Sequence, residues 1–95
     1  MIPENRIPTH PGEVLLEEFL RPLGISQAAL ARHIGVPPQH VNEIVRQKRA
    51  VTPGMAWLLA QALGTSPEFW INLQTAHDLA MRQPKRSVAR LAAAA

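Results

Sequence analysis

The sequence predicts an all-α domain of five short helices, and three observations lead to that prediction. Apolar residues recur at spacings of three and four in five successive segments, which is the period of an amphipathic helix. Capping hydroxyls followed by proline, and isolated glycines, stand between those segments, where helices begin and end. No segment alternates apolar and polar residues, so no strand is predicted.

The chain has 95 residues, which is enough for one compact domain with a modest core. We predict an extended lead-in over residues 1–11, because its three prolines do not suit a helix interior. The helical domain is predicted over residues 12–82. Residues 83–95 contain only basic charges and no apolar periodicity, and we predict a flexible tail there.

Composition argues against several classes of protein. The chain has no cysteine, and its four histidines lack metal-ligand spacing, so neither a disulfide nor a metal site is predicted. It also has no glycine-rich phosphate loop and no paired acid–base set, so neither an enzyme nor a cofactor is predicted. Apolar runs are too short to span a bilayer and no signal peptide stands out, so we expect a soluble, cytoplasmic protein without a membrane role.

The first helix is predicted to begin near Gly12. Leu15, Phe19 and Leu23 recur at a spacing of four and form its apolar stripe. We expect the helix to end at Arg21, because the residue before proline is disfavoured in helical geometry. Three carboxylates fall on the opposite side: Glu13, Glu17 and Glu18. Both a solvated surface and contact with a basic partner protein remain open for them.

The second and third helices are predicted to pack closely against each other. Ser26 is a good N-cap for a helix over residues 27–34, and Gly35 suits a left-handed C-cap. Ala31 is small enough to let the next helix approach. That next helix is predicted to begin near Pro37 and Pro38, because proline is tolerated in a first turn.

The fourth and fifth helices have the same type of start signal. Thr52 and Ser66 each precede a proline, which predicts capped helices from those points, and Pro84 would close the last one. Four apolar residues allow two interpretations, a core position or a surface patch: Trp57, Phe69, Trp70 and Leu73. For Phe69, Trp70 and Leu73 we predict a two-fold dimer interface.

Two sets of outward-pointing residues on and around the third helix predict DNA binding. Those predicted to read bases in a major groove are Pro38, Gln39, His40 and Glu43. Those predicted to contact phosphates are Gln27, Arg46, Lys48 and Arg49. A plain helical hairpin is the alternative, and the cluster of basic residues after the third helix favours DNA binding over it.

Residues in and around these helices resemble a known family. The central run comprises Ser26-Gln27-Ala28-Ala29-Leu30-Ala31, Gly35-Val36, Ile44 and Lys48-Arg49. It resembles the phage-repressor/Cro (xenobiotic-response-element) helix-turn-helix family. The flanking residues are similar to HigA-type antitoxins, above all Gly64-Thr65-Ser66-Pro67-Glu68-Phe69-Trp70-Ile71-Asn72-Leu73-Gln74. The resemblance covers roughly residues 7–82.

This resemblance implies a five-helix, phage-repressor-like fold and an antitoxin of a type II toxin–antitoxin pair. Such a protein neutralises a RelE-like, RNA-cleaving toxin encoded by an adjacent gene, and represses its own operon as a homodimer on operator DNA. A stand-alone repressor without a toxin partner is the alternative. The sequence departs from the family pattern at Pro37, where a serine or threonine cap is usual, at Pro38, and at Gln47, where glycine is common.

Overall fold

The structure, a computed structural model, describes residues 7–92, and over that range it contains five helices and no strand. The first helix, α1, runs through three consecutive stretches: Pro11–Val14, Leu15–Leu20 and Arg21–Leu23. The other four are α2 (Gln27–Ile34), α3 (Pro38–Val45), α4 (Pro53–Leu63) and α5 (Pro67–Met81). The predicted all-α, five-helix class is confirmed. Residues 1–6 of the predicted lead-in and 93–95 of the predicted tail lie outside the described range.

The middle of α1 is π-helical, which the sequence analysis did not predict. Across Leu15–Leu20 the turn is wider than in an α-helix, and the N–H of Arg21 bonds the carbonyl of Leu16, five residues back. The wider turn changes which residues share a side of the helix. Leu15 and Leu20, five apart, are both buried. Leu23, predicted in the apolar stripe, is 60% exposed.

The predicted end of α1 at Arg21 is wrong by two residues. Pro22 lies in the first turn of the last α-helical stretch of α1, where a missing N–H and a fixed φ are tolerated. The helix therefore continues to Leu23, and it ends at Gly24, which adopts a φ of 66°.

The other predicted caps are confirmed. The hydroxyls of Ser26, Thr52 and Ser66 accept hydrogen bonds from backbone N–H groups at the starts of α2, α4 and α5. Gly35 and Gly64 end α2 and α4 with φ values of 76° and 75°. Side-chain caps and glycine stops thus set the helix boundaries on either side of α3.

The core is one cluster of buried apolar residues to which all five helices contribute. Trp70 is fully buried, and its indole Nε1 donates to the hydroxyl of Thr65 at 2.7 Å. Trp70 therefore has no surface to offer a partner, and its predicted place in a dimer interface is wrong. Trp57 is 57% exposed, so the core interpretation is wrong for that residue. The buried side of α4 is formed by other residues: Met55, Ala56, Leu59 and Ala60.

After Met81 the chain is not helical through residue 92, and all residues in 82–92 are exposed. The long axis of the molecule is 53 Å, against 26 and 22 Å for the other two. None of the helices within residues 7–92 has the length and apolar character needed to cross a membrane.

Candidate nucleic-acid interface

Helices α2 and α3 are held together by small and branched apolar side chains. Leu30 and Ala31 of α2 and Val41 and Ile44 of α3 are all at most 3% exposed. Gly35 makes the turn, and its N–H donates to the carbonyl of Ala31 at 2.9 Å. Because these residues fix the inner side of α3, its opposite side faces solvent.

The solvent side of α3 contains most of the predicted base-reading residues. Pro38 and Gln39 are exposed, and His40 and Glu43 are half-buried. Pro37 is the N-cap and makes no side-chain capping bond, as predicted from the missing hydroxyl. The first turn of α3 therefore presents a proline ring, an amide and an imidazole to solvent.

Glu43 ties two predicted DNA-contacting residues to each other. Its carboxylate accepts from Gln39 Nε2 at 3.2 Å and from Arg49 Nε at 2.8 Å, and Arg49 Nη2 also lies 2.8 Å away. The hydrogen bonds from Arg49 and Gln39 lower the pKa of Glu43 from its ordinary value. Glu43 thus orients Gln39, and Arg49 neutralises a carboxylate that would otherwise repel phosphates.

Asn42 is a solvent-facing residue that the sequence analysis missed. It is exposed on α3, three positions after Gln39, and that helical spacing was the signal that could have identified it. Its Nδ2 donates to Gln27 Oε1 at 3.1 Å. Gln27, predicted to contact a phosphate, therefore also orients the amide of Asn42.

The end of α3 turns sharply into the basic loop. Gln47 has a φ of 63°, the one positive φ at a non-glycine residue within 7–92. Glycine adopts a positive φ without strain, which accounts for the glycine that is common at this position in the family that the sequence resembles. The N–H of Lys48 donates to the carbonyl of Glu43 at 2.8 Å, closing a Schellman-type cap. Arg46, Lys48 and Arg49 are all exposed at this end of the helix.

Residues at the start of α1 and on α5 support the buried side of α3 and the loop that follows it. Gly12 lies so close to Ile44 that an added Cβ would clash with its backbone carbonyl. His10, which is buried, caps α1 by accepting the N–H of Gly12 on Nδ1 at 2.9 Å. Gln74, also buried, accepts the N–H of Val51 on Oε1 at 2.8 Å and so fixes the loop after α3.

The hydrogen bond from Gly12 determines which nitrogen of the His10 ring carries the proton. Since Nδ1 accepts from Gly12, the neutral ring carries its proton on Nε2. Burial lowers the pKa of His10, and the ring of His77, 4.9 Å away between centroids, lowers it further, while Asp78 acts in the opposite direction. The support beneath α3 thus depends on an uncharged histidine.

Helices α2 and α3 are short and are joined by a glycine in the left-handed conformation. The second of them carries a row of exposed polar side chains and ends in basic residues. Together these features define a helix-turn-helix of the nucleic-acid-binding type. Residues 16–70 match the helix-turn-helix family. The chain belongs to that family, in its xenobiotic-response-element branch, which includes HigA-type antitoxins.

Three similar proteins illustrate the relationship. Virulence-associated protein I of Dichelobacter nodosus is 45% identical over 87 residues, which cover 90% of this chain and 81% of that protein. The antitoxin GraA in complex with its operator superposes with a TM-score of 0.84 and 44% identity, covering 98% of this chain and 100% of GraA. The antitoxin HigA of Pseudomonas aeruginosa, solved with the higBA promoter, superposes with a TM-score of 0.76 and 47% identity, covering 78% of this chain and 80% of HigA.

Proposed function

We propose that this chain binds operator DNA as a homodimer and serves as the antitoxin of a type II toxin–antitoxin pair. In this role it represses its own operon and neutralises a RelE-like, RNA-cleaving toxin encoded by an adjacent gene. The observation that carries the DNA-binding part is the ordered polar side of α3, where Gln39 and Asn42 are held by hydrogen bonds beside exposed cations. Operator complexes of similar antitoxins support the same assignment.

The residues divide by what they would contact. Gln39 and Asn42 each keep an amide oxygen that accepts none of the hydrogen bonds described above, so both can pair with base edges, for example with the N6 amino group of adenine. Pro38 and His40 would contribute shape and a further donor in the same groove. Arg46 and Lys48 would contact phosphates, which supplies affinity without sequence information. Arg49 and Gln27 would act through their neighbours as well as on phosphates.

The DNA-binding part is tested by titrating the full chain with two duplexes. One contains the palindrome upstream of its own gene, and the other has the same composition in scrambled order. Gln39→Ala should weaken binding to the palindrome and leave the scrambled duplex nearly unaffected. Gln61→Ala, an exposed glutamine on α4, is the matched control and should change neither. Equal losses on both duplexes would reject base reading by Gln39.

The antitoxin part is tested by growth. The adjacent reading frame is expressed alone and then together with this chain. Arrest by the neighbour and rescue by this chain are the expected results. A double variant, Gln39→Ala with Arg46→Ala, should still rescue when both genes have foreign promoters, because neutralisation would not require operator binding. A harmless neighbour, or arrest without rescue, would reject the antitoxin role and leave a stand-alone repressor.

A further inference from the structure

An open groove with an acidic rim lies between α1 and α5 and has a volume of about 450 Å³. Its floor is apolar and consists of Val14, Phe19, Phe69 and Leu73. Its rim contains three carboxylates: Glu13, Glu17 and Glu18. We call this surface the acidic groove. Phe69 and Leu73, which were predicted in the dimer interface, therefore line the same groove as the three carboxylates of α1.

The acidic groove leaves both charge and apolar surface without a partner. Glu17 pairs with Arg21 at 3.2 Å, whereas Glu13 and Glu18 make no ion pair within residues 7–92. Phe69 is 37% exposed although its ring packs against Trp70, with centroids 5.0 Å apart. A segment that fits this surface would combine cations with apolar side chains.

The tail after α5 has that combination. Lys85 and Arg86 are exposed, and the sequence from residue 83 onward contains no acidic residue. Val88 and Leu91, in the same stretch, are 78% and 102% exposed. The tail thus carries the charge and the apolar surface that the acidic groove lacks.

We propose that the tail of one copy lies in the acidic groove of a second copy, and that the second copy returns the same contact. Val88 and Leu91 would cover Phe69 and Leu73, and the tail cations would pair with Glu13 and Glu18. The proposal rests on the homodimer proposed above and specifies how it forms. Reciprocal exchange makes the contact twice in each dimer and keeps two-fold symmetry, as a two-fold operator requires.

A direct contact between two acidic grooves is unfavourable for an electrostatic reason. In a two-fold interface the same patch meets itself, so Glu13 and Glu18 of one copy would face Glu13 and Glu18 of the other. Like charges across an interface oppose association. Tail exchange replaces those repulsions with pairs of opposite charge.

The starting point of the tail favours a second copy over its own groove. Phe69 and Leu73 lie in the first half of α5, while the tail leaves after Met81, at the far end of a helix of 15 residues that spans roughly 22 Å. To reach its own groove the chain would have to reverse direction directly after α5. In the structure residues 82–92 are all exposed, and none of them lines the acidic groove of the same chain.

Sedimentation velocity on the full chain tests the exchange by charge reversal and rescue. The groove variant is Glu13→Lys with Glu18→Lys, and the tail variant is Lys85→Glu with Arg86→Glu. Each should weaken dimerisation roughly tenfold or more, because repulsion replaces attraction at both contacts of the dimer. Combining all four substitutions restores opposite charges and should recover the dimer. Glu68→Lys reverses an acid on α5 that does not line the groove and should have no effect.

Each of the following outcomes would contradict the tail exchange, and each would show which part of it is wrong. A wild-type chain that stays monomeric rejects the proposed homodimer together with the exchange. Groove and tail variants that both dimerise like the wild type reject the exchange alone, as does a combined variant that remains monomeric. If the groove variant keeps the dimer but no longer co-purifies with the co-expressed neighbouring protein, the groove binds that protein instead. Circular dichroism of every variant verifies that the helices are retained.

Discussion

The recognition surface on α3 and the acidic groove between α1 and α5 are both polar, but they are built in different ways. On α3, hydrogen bonds join Gln39 and Arg49 to Glu43, and Asn42 to Gln27. In the groove, the side chains of Glu13 and Glu18 have no such bonds to residues within 7–92. A surface with ordered side chains loses little entropy on binding a rigid duplex, whereas unpaired charge around an apolar floor suits a flexible segment that adjusts to it.

The largest expected effect comes from disturbing the support beneath α3. Gly12→Ala places a methyl group against the carbonyl of Ile44, which belongs to backbone and cannot rotate away. We expect a loss of about 3 kcal/mol in the free energy of unfolding, at the upper end for overpacked sites, and weaker binding to both specific and random DNA. Urea unfolding measures the first and duplex titration the second.

Gly54→Ala is the matched control for that change. Gly54 lies in the first turn of α4, and an added Cβ there meets nothing within 4 Å. Its substitution should leave stability unchanged or raise it by up to about 1 kcal/mol, since alanine favours helix. Equal stability of the two variants would show that Gly12 does not hold α3 in place.

A smaller effect is expected from removing one base-reading amide. Asn42→Ala should cost roughly 1–3 kcal/mol on the palindromic duplex and little on the scrambled one. Gln27→Ala should cause part of the same loss, because Gln27 orients Asn42. If the Gln27 variant instead weakens both duplexes alike, Gln27 acts on a phosphate and does not orient Asn42.

Neutralising Glu43 would separate orientation from charge on the same surface. Glu43→Gln removes a negative charge and releases Arg49 from its ion pair. We expect tighter binding to random DNA, with a salt dependence steeper by about 0.9 for each further phosphate that the protein neutralises, and less preference for the palindrome. Glu68→Gln, away from α3, is the control. A salt dependence equal to that of the wild type would show that Arg49 is not available to phosphates even without Glu43.

The smallest effect concerns pH and the histidine beneath α3. The pKa of His10 is lowered from 6.5 in the folded chain, so the unfolded state takes up a proton first as the pH falls. The stability that neutral His10 provides is therefore complete above pH 6.5, and it is lost as the pH falls through the lowered pKa of the folded state. His10→Asn keeps a capping acceptor that does not titrate and should flatten this part of the pH dependence.

Urea unfolding at several pH values measures that change. His33→Asn, at an exposed position on α2, is the control and should retain the wild-type dependence. The same pH dependence in the His10 and His33 variants would assign the loss of stability to other groups.

Local signals in the sequence predicted the fold and most of the recognition surface. Ser26, Thr52 and Ser66 cap their helices through contacts three residues away, so their role can be inferred from neighbouring residues alone. The solvent side of α3 follows from the positions of Val41 and Ile44 in one helical period. Asn42 lay on that same side, and its omission was a failure to apply the period fully.

Other features could not be predicted because they depend on contacts between distant residues. The two tryptophans, Trp57 and Trp70, both lie in apolar helices, and packing of α4 against α5 leaves the first exposed and buries the second. A period of four cannot reveal the π-helical stretch of α1, which shifts the buried residues to Leu15 and Leu20. The pairing of Arg49 with Glu43 requires the left-handed turn at Gln47.

The sequence by itself determined where α2, α4 and α5 begin and where α2 and α4 end, which residues form the basic end of α3, and which family the chain resembles. These properties depend on neighbouring residues, on net charge and on short motifs, all of which are local. The tertiary structure decided that Glu13 and Glu18 share a groove with Phe69 and Leu73, and that Gly12 contacts Ile44. Such contacts join residues far apart in the chain, so they exist only once the helices have packed.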